Sequence, residues 1–400
     1  MAKTHFWVGL DVGVDITACC VVDDNGGVAF EQKIPTSAVA IKTFLRPCRR
    51  RVSLIGVEAG NSSIHLARSL IRLGFAVSVF DTRQVSKYLK IRQNKTDRND
   101  ARGLAEIART GHSVVSQIYL RTSEIQHLRS TLVMRQRLVR MRVGGEGAIR
   151  SLIRLHGGKL KAAYSAASLH LNVLAEVSRI KRSEKIDLRP EVEPILKLCE
   201  NLRLYLENSE SELLATAKRS PECQRFMEIP GIGPICALSF FSAIGEPFRF
   251  KRNADVGAYL GMTPIVRQSG RSSSSLRISK MGSRMTRAHL VTAAGMHLRL
   301  ADSSLRDWGL ALQERVGSRS ARVAVARKLA VVMLAMWKSG RNYEPRPSAP
   351  DFPAREETGL ETVTTTRAAI DPEWDAGPSL SGADGLKPTR PASLALSDGQ

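Results

Sequence analysis

The sequence predicts an α/β domain at its N-terminal end, long helices in the middle and a mainly helical second domain. Three observations lead there. Apolar strand-like runs alternate with amphipathic stretches over residues 4–115. Leucines and valines recur at helical spacing through 120–220. Glycine-punctuated helical runs fill 221–340. The chain has 400 residues, 43% of them hydrophobic, which is more than one average domain and enough to bury a core.

In the first part, residues 6–10 and 17–22 are β-rich and divided by a Gly/Asp turn. Gly26 and Gly27 make a second turn, and 28–34 alternates like a third strand. Residues 38–45 pattern as a helix and 52–57 as a buried strand. An amphipathic helix follows over 64–73, with Gly74 placed to cap it. Residues 75–80 form another apolar strand. Helical patterning resumes at Gln84, with a long piece near 97–109. A three-strand meander followed by helix, strand, helix, strand, helix is the order of an RNase H-like domain, placed at 1–118.

The region 119–220 is expected to be helical, as a hairpin or coiled coil. Leu128, Leu132, Val139 and Val143 share one face of its first helix; Ile195, Leu198, Leu202, Leu206 and Leu213 share a face of a later one. Arg129, Arg135, Arg137, Arg140 and Arg142 decorate the first helix, and a solvated face explains them as well as nucleic-acid contact does. Residues 221–340 hold IPGIGPICALSFFSAIG, then AYLGMTP, a Ser/Arg-rich loop and two helical runs to Lys338. From 341 to 400 the chain is rich in Pro, Thr, Ser and acids and is expected to be a disordered tail.

Charge narrows the partner. The formal net charge is +22, and the acidic tail contributes −4 of it, so the residues before 341 carry +26. A folded body that basic repels itself unless a polyanion is near, which points to nucleic acid. The six cysteines form no CxxC pair and the eight histidines no HxxxH, so a zinc site is not expected. Acids interrupt the first fifteen residues, where a signal peptide would be apolar, and no apolar stretch approaches a membrane span. The chain is expected to work in the cytoplasm with reduced thiols.

Four acids then stand out. Asp11 ends the first strand and Glu58 the fourth, within GVEAG; Asp97 and Asp100 are three apart in NKTDRNDARGLA, on one helical face. In an RNase H-like sheet the first and fourth strands are neighbours, so the late helix would close a four-carboxylate pocket. Its hard oxygen donors suit Mg²⁺ or Mn²⁺, two of which can clamp a phosphodiester. Taken singly, each acid is also a common turn or surface residue, and Asp15 competes with Asp11.

The strings GLDVGVD, GVEAG and NKTDRNDARGLAE, with IPGIGP, RNADVGAYLGMTP, SG and RISKMGSRMTRAHL further on, resemble the DEDD-type transposases of the insertion-sequence 110 family over about residues 5–340. The resemblance implies a RuvC-like N-terminal domain, a coiled coil and a C-terminal transposase domain. Its acidic tetrad falls on Asp11, Glu58, Asp97 and Asp100, with metal bound there, and its serine nucleophile falls on Ser269. It further implies DNA donor and target, a noncoding bridge RNA as guide, a bacterial cytoplasmic setting, and homo-oligomers, dimers or tetramers, in which carboxylates of one subunit meet the serine of another.

Around Ser269, Arg267 and Arg271 could neutralise a scissile phosphate, although a Ser/Gly loop is ordinarily only flexible. Gly231 and Gly233 resemble a helix–hairpin–helix turn that would aim N–H groups at phosphate, or else a plain helix cap. Arg277, Lys280, Arg284 and Arg287 recur at helix-like spacing as a phosphate stripe or a solvated face. A RuvC-like nuclease or junction resolvase using water would need the tetrad but not Ser269. An actin-like kinase shares the look of GLDVGVD, but its second Asp-Gly phosphate loop is missing. A non-enzymatic nucleic-acid scaffold would need neither.

Overall fold

The computed structural model describes residues 4–90, 95–111, 114–161, 166–269 and 272–346; the side chains of Arg50, Ala166 and residues 266–276 stand outside that description. The expected tail is covered only as far as 346. The chain divides into two compact units, Met1–Thr122 and Ser123–Gln400.

The first unit is a mixed sheet with helices on both faces. Strands β1 (Phe6–Val12), β2 (Ile16–Val22) and β3 (Val28–Pro35) form the meander. Helix α1 (Ala38–Phe44), strand β4 (Val52–Glu58), helix α2 (Asn61–Arg72), strand β5 (Val77–Phe80) and helices α3 (Thr82–Leu89) and α4 (Asp97–Glu106) follow. The strand order is β3-β2-β1-β4-β5: β1 is antiparallel to β2, and β4 and β5 run parallel to β1. Asp11 lies inside β1, so the strand runs two residues past the expected end. Gly74 does end α2 as expected. With φ at +87° it lets its own N–H reach Ile71 and the Phe75 N–H reach Leu70, which satisfies the last carbonyls.

Alternation along β1 sorts its side chains. Val8 and Leu10 enter a core shared with Ile55, Val57, Leu66 and Leu70, on the α1 and α2 side. Trp7, Gly9 and Asp11 therefore face the other way, toward α4, whose Ala101 and Ala105 pack on Ala18, Cys20 and Val22. A π-helical turn, Ile107–Gly111, prolongs α4.

The second unit begins with α5 (Ser123–Leu155), α6 (Ala166–Glu184) and α7 (Arg189–Arg219). Arg135 pairs with Glu210, and Glu146 takes both Arg142 and Arg203 at 2.7 Å, so α5 and α7 run antiparallel. Two face assignments need correcting. Leu198 is half exposed and the adjacent Cys199 is buried instead, because the buried stripe of α7 runs through Val192, Leu196, Cys199, Leu202 and Leu206. Val143 is likewise exposed, one position past the edge that Arg142 presents to Glu146. Arg135 and Arg142 are thus held by acids, while Arg137 and Arg140 remain exposed.

Helices α8 (Pro221–Met227), α9 (Pro234–Ile244) and α10 (Asp255–Tyr259), strands β6 (Pro264–Ser269) and β7 (Ser272–Ile278), and helices α11 (Arg284–Leu300), α12 (Ser304–Val316) and α13 (Ser318–Ser339) complete the chain. Their core centres on Phe226, Phe240 and Leu329, with Trp337 stacked 4.8 Å from Phe241. The expected Ser/Arg loop is in fact an antiparallel β-hairpin, and the two expected helical runs are three. All six cysteines are free and buried. Burial pushes the thiols of Cys19 and Cys236 up to about 12 and that of Cys223 to about 11.

Candidate functional site

Two short strings, Gly9-Leu10-Asp11 and Gly56-Val57-Glu58, repeat one device on neighbouring parallel strands. Gly9 pairs with Gly56 and Leu10 with Val57, so Asp11 and Glu58 stand side by side one step further. With period 2, each acid shares the face of its glycine. A Cβ on Gly9 would lie 2.0 Å from the Ala101 carbonyl and 2.2 Å from the Ala105 nitrogen; one on Gly56 would meet the Leu104 carbonyl at 3.0 Å. The missing side chains therefore let the backbone of α4 settle on the sheet. Its N-terminal end comes down over the two acids.

Thr96 caps that end, its hydroxyl accepting from the Asn99 N–H at 3.2 Å. Asp97 and Asp100 sit in the first turn, where the helix dipole favours negative charge. Arg98 and Arg102, one turn apart, both reach Glu31 on β3, the latter through two bonds of 2.7 and 2.8 Å. This ties the outer side of α4 to the edge of the sheet.

The four acids sense one another unequally. Burial raises the Asp11 carboxyl above the usual range, and the charges of Asp100 and Asp97 raise it further. Glu58 is raised by burial, then by Asp11 and Asp100. Asp97 departs from this pattern. It is exposed and held low by Lys33, whose Nζ donates to its Oδ2 at 2.7 Å. Lys95, just ahead of the cap, acts favourably on Asp11, Glu58 and Asp97. Asp15, the competing acid, is not among the groups that act on Asp11 or Glu58. Among the described residues, no three His, Cys, Asp or Glu side chains are close enough to enclose one ion.

Lys33, Lys95, Gly9 and Gly56 escaped the reading of the sequence. The glycines left a legible signal, since each precedes its acid by two residues in an apolar strand. Lys95 lies inside the quoted NKTDRNDARGLA string, whereas Lys33 left no signal and looks like any polar residue of an edge strand.

In the second unit, Ser269 ends β6 and Arg267 lies within it, opposite Ser274. Their side chains, and all of Arg271, lie outside the described residues. Arg277 is exposed on β7, Lys280 exposed in the following turn, and Arg284 exposed at the start of α11. The four basic residues therefore do not form one helical stripe, because the strand and turn interrupt the spacing. Arg287 is buried, at 5% exposure, and its Nη1 donates to the carbonyls of Leu260 at 2.8 Å and Met281 at 3.2 Å. It cannot lie on a solvent-facing stripe as expected, because it is bonded to backbone inside the domain.

Gly231 and Gly233 lie in the short turn between α8 and α9. Gly231 has φ +95°, and a Cβ there would stand 2.6 Å from the Ala293 carbonyl, so its glycine serves close packing on α11. His297 secures the same turn, bonding Pro230 O through Nδ1 and Ser303 Oγ through Nε2. Gly233 is exposed at the N-cap of α9, with open space about it.

Comparison with known proteins places both halves. The model of a DEDD transposase family named for IS110 matches residues 8–156, and that of the transposase IS116/IS110/IS902 family matches 223–308. The chain is 29% identical to the transposase of insertion sequence element IS1111A from Coxiella burnetii, over 84% of this chain and 90% of that protein. It is 25% identical to a probable family 20 transposase of Pseudomonas aeruginosa, over 84% and 98% of the two chains. It is 23% identical to the transposase of insertion sequence element IS1328 from Yersinia enterocolitica, over 83% and 97%. Acidic half and serine half are each matched by a transposase family, and whole relatives align across both: the chain is a DNA transposase of the IS110 family.

Proposed function

We propose that this transposase cuts and rejoins DNA with a divalent-metal site on Asp11, Glu58, Asp97 and Asp100 and a nucleophilic Ser269. The observation that carries the metal half is the meeting of Asp11 and Glu58 at adjacent strand ends beneath the Asp97–Asp100 turn of α4. The donor set is entirely carboxylate oxygen, which suits Mg²⁺ or Mn²⁺. Asp11 and Glu58 are both raised by burial and by their acidic neighbours, so the pocket has an unmet need for positive charge. A divalent cation, when bound, would polarise a phosphodiester and neutralise charge that builds on it. The four acids would hold it, Asp97 by turning from Lys33. The sheet order supports reading this unit as RNase H-like and RuvC-like, and the antiparallel α5–α7 pair supports reading 119–220 as a coiled-coil region ahead of the serine domain at 221–340.

In this reading the Ser269 Oγ bonds to phosphorus as the phosphorus–oxygen bond to one strand breaks, and the proton lost by the serine hydroxyl ends on the departing strand's oxygen. The phosphoserine ester keeps the energy of the broken linkage, so rejoining needs no ATP. Arg267, Arg271, Arg277, Lys280 and Arg284 would hold the phosphates near the hairpin. A bridge RNA would choose donor and target by base pairing, and the working form would be a homo-oligomer.

The test is a denaturing gel of labelled element DNA after reaction in Mg²⁺. Wild type should give a protein-sized shift that protease removes. Ser269→Ala should lose both the adduct and strand exchange, while Ser272→Ala to Ser275→Ala, made singly, should keep them. An adduct that survives Ser269→Ala and vanishes with a later serine would move the nucleophile. Cleavage with no adduct at all would favour a nuclease that uses water.

A further inference from the structure

The hairpin that carries Ser269 stands on a base whose construction is unusual for a flexible loop. Its two ends cross in close backbone contact. Gly261, before β6, has φ +71°, and a Cβ on it would lie 2.0 Å from the Met281 carbonyl. Gly282, after β7, has φ +79°, and a Cβ there would lie 2.1 Å from the Tyr259 carbonyl. Between them the Ser279 N–H donates to Thr263 O at 2.8 Å and the Lys280 N–H to Gly261 O at 3.1 Å. Lys280 itself takes φ +52°, a conformation that side-chain-bearing residues rarely adopt.

Such a crossing needs something to hold it, and Arg287 is placed to do so. One guanidinium nitrogen bonds Leu260 O, at the end of α10 ahead of β6, and Met281 O, in the turn after β7. Arg287 projects from α11, whose first turn is itself fixed in the core. Ser283 caps it, accepting from the Thr286 N–H at 3.3 Å, and the buried Thr286 hydroxyl is bonded to Ser239 and Ser283. No carboxylate pairs with this buried cation among the described residues; its partners are the two carbonyls. A buried charge without an ion-pair partner is costly, and a neutral side chain of similar size would fill the space at less expense. The one thing the guanidinium does that such a side chain cannot is join both ends of the hairpin to the core.

We infer that Arg287, with Gly261 and Gly282, is the positioning element that aims the β6–β7 hairpin and hence its serine. This inference rests on Ser269 being the nucleophile for its catalytic meaning, but not for its structural meaning. Arg287 touches no reacting atom; it acts by keeping the hairpin from pivoting about its base, and small errors of aim in a displacement reaction are expensive.

The experiment compares full-length wild type, Arg287→Lys, Arg287→Met and Gly282→Ala by two readouts. The first is amide hydrogen exchange. In Arg287→Met and Gly282→Ala the amides of 264–280 should exchange at least about tenfold faster, while those of α13 stay as in wild type. The second is the rate of protein–DNA adduct formation at saturating DNA. It should fall at least about tenfold in the same two variants with DNA affinity unchanged, and Arg287→Lys, which retains a donor, should recover most of both. Unchanged hairpin exchange in Arg287→Met overturns the inference. So does loss of adduct that follows general loosening of the unit and that Arg287→Lys fails to restore. If wild-type adduct persists in Ser269→Ala, the nucleophile is misassigned, and the exchange readout still decides the clamp.

Discussion

Asp11 and Glu58 are acids in a place that resists ionisation, and this has a measurable sign. Their folded pKa values lie above those of an unfolded chain. Between the two values the folded state binds more protons, so stability falls as pH rises through that window. Without metal, the chain should be firmer in mild acid than at neutral pH as far as these groups decide it. Asp11→Asn and Glu58→Gln should each raise the metal-free melting temperature slightly, by about 1–2 °C, since each removes a charge that burial and acidic neighbours disfavour. Both should also abolish strand cleavage. Added Mn²⁺ should stabilise wild type more at pH 8 than at pH 5, because protons compete for the same oxygens. A drop in melting temperature for both variants would mean that the acids are held by partners rather than strained by neighbours. At this scale the sequence pointed to acids that the fold brings within electrostatic reach of one another and was silent about their surroundings. Spacing and strand ends pointed to the four carboxylates, but nothing in the string ties Lys33 to Asp97, 64 positions away.

Helix α4 depends on a contact between backbones, which makes it vulnerable to a single methyl group. Gly9→Ala would put a carbon within 2.0 Å of the Ala101 carbonyl, and neither strand nor helix has a flexible side chain there to yield. The expected cost is about 3 kcal/mol, at the upper end for overpacking, read as a lower denaturation midpoint. Gly233→Ala is the control, since nothing lies within 4 Å of a Cβ at that position. Equal stability of Gly9→Ala and wild type would refute the seating of α4 on the sheet. Elements with a strong apolar period were legible: the meander, the β4–α2–β5 succession and the capping Gly74 all follow the pattern in the string. The hairpin β6–β7 was not, because PIVRQS and SSSSLRI lack the alternating apolar residues that announce a strand. Arg287 was misplaced for a related reason. Periodicity counts positions on a helix, and it cannot tell which basic residue turns inward to bond carbonyls.

For the molecule as a whole, charge is the dominant property. The residues before 341 carry a net +26, and the exposed Arg137, Arg140, Arg277, Lys280 and Arg284 add to that field from several elements. Nucleic-acid affinity should fall by about 10³-fold or more between 50 and 200 mM salt if six or more phosphates are neutralised. If a bridge RNA guides the reaction, the purified protein should carry a discrete RNA from its own locus. Recombination should then stop after RNase treatment and return when that RNA is supplied. Activity that survives complete digestion would leave a protein-only transposase.

The burial of every thiol has a practical consequence for following the reaction. Cys19, Cys223 and Cys236 are held so far from ionisation that maleimide or iodoacetamide has little thiolate to attack, and the other three are enclosed as well. Wild-type protein is therefore close to a blank for thiol-reactive dyes while it stays folded. A cysteine introduced at an exposed position at the start of β6, such as Ile265→Cys, would report alone, with no need to remove the native six and disturb the cores they fill. Fluorescence from that one label could then track the hairpin base as DNA arrives.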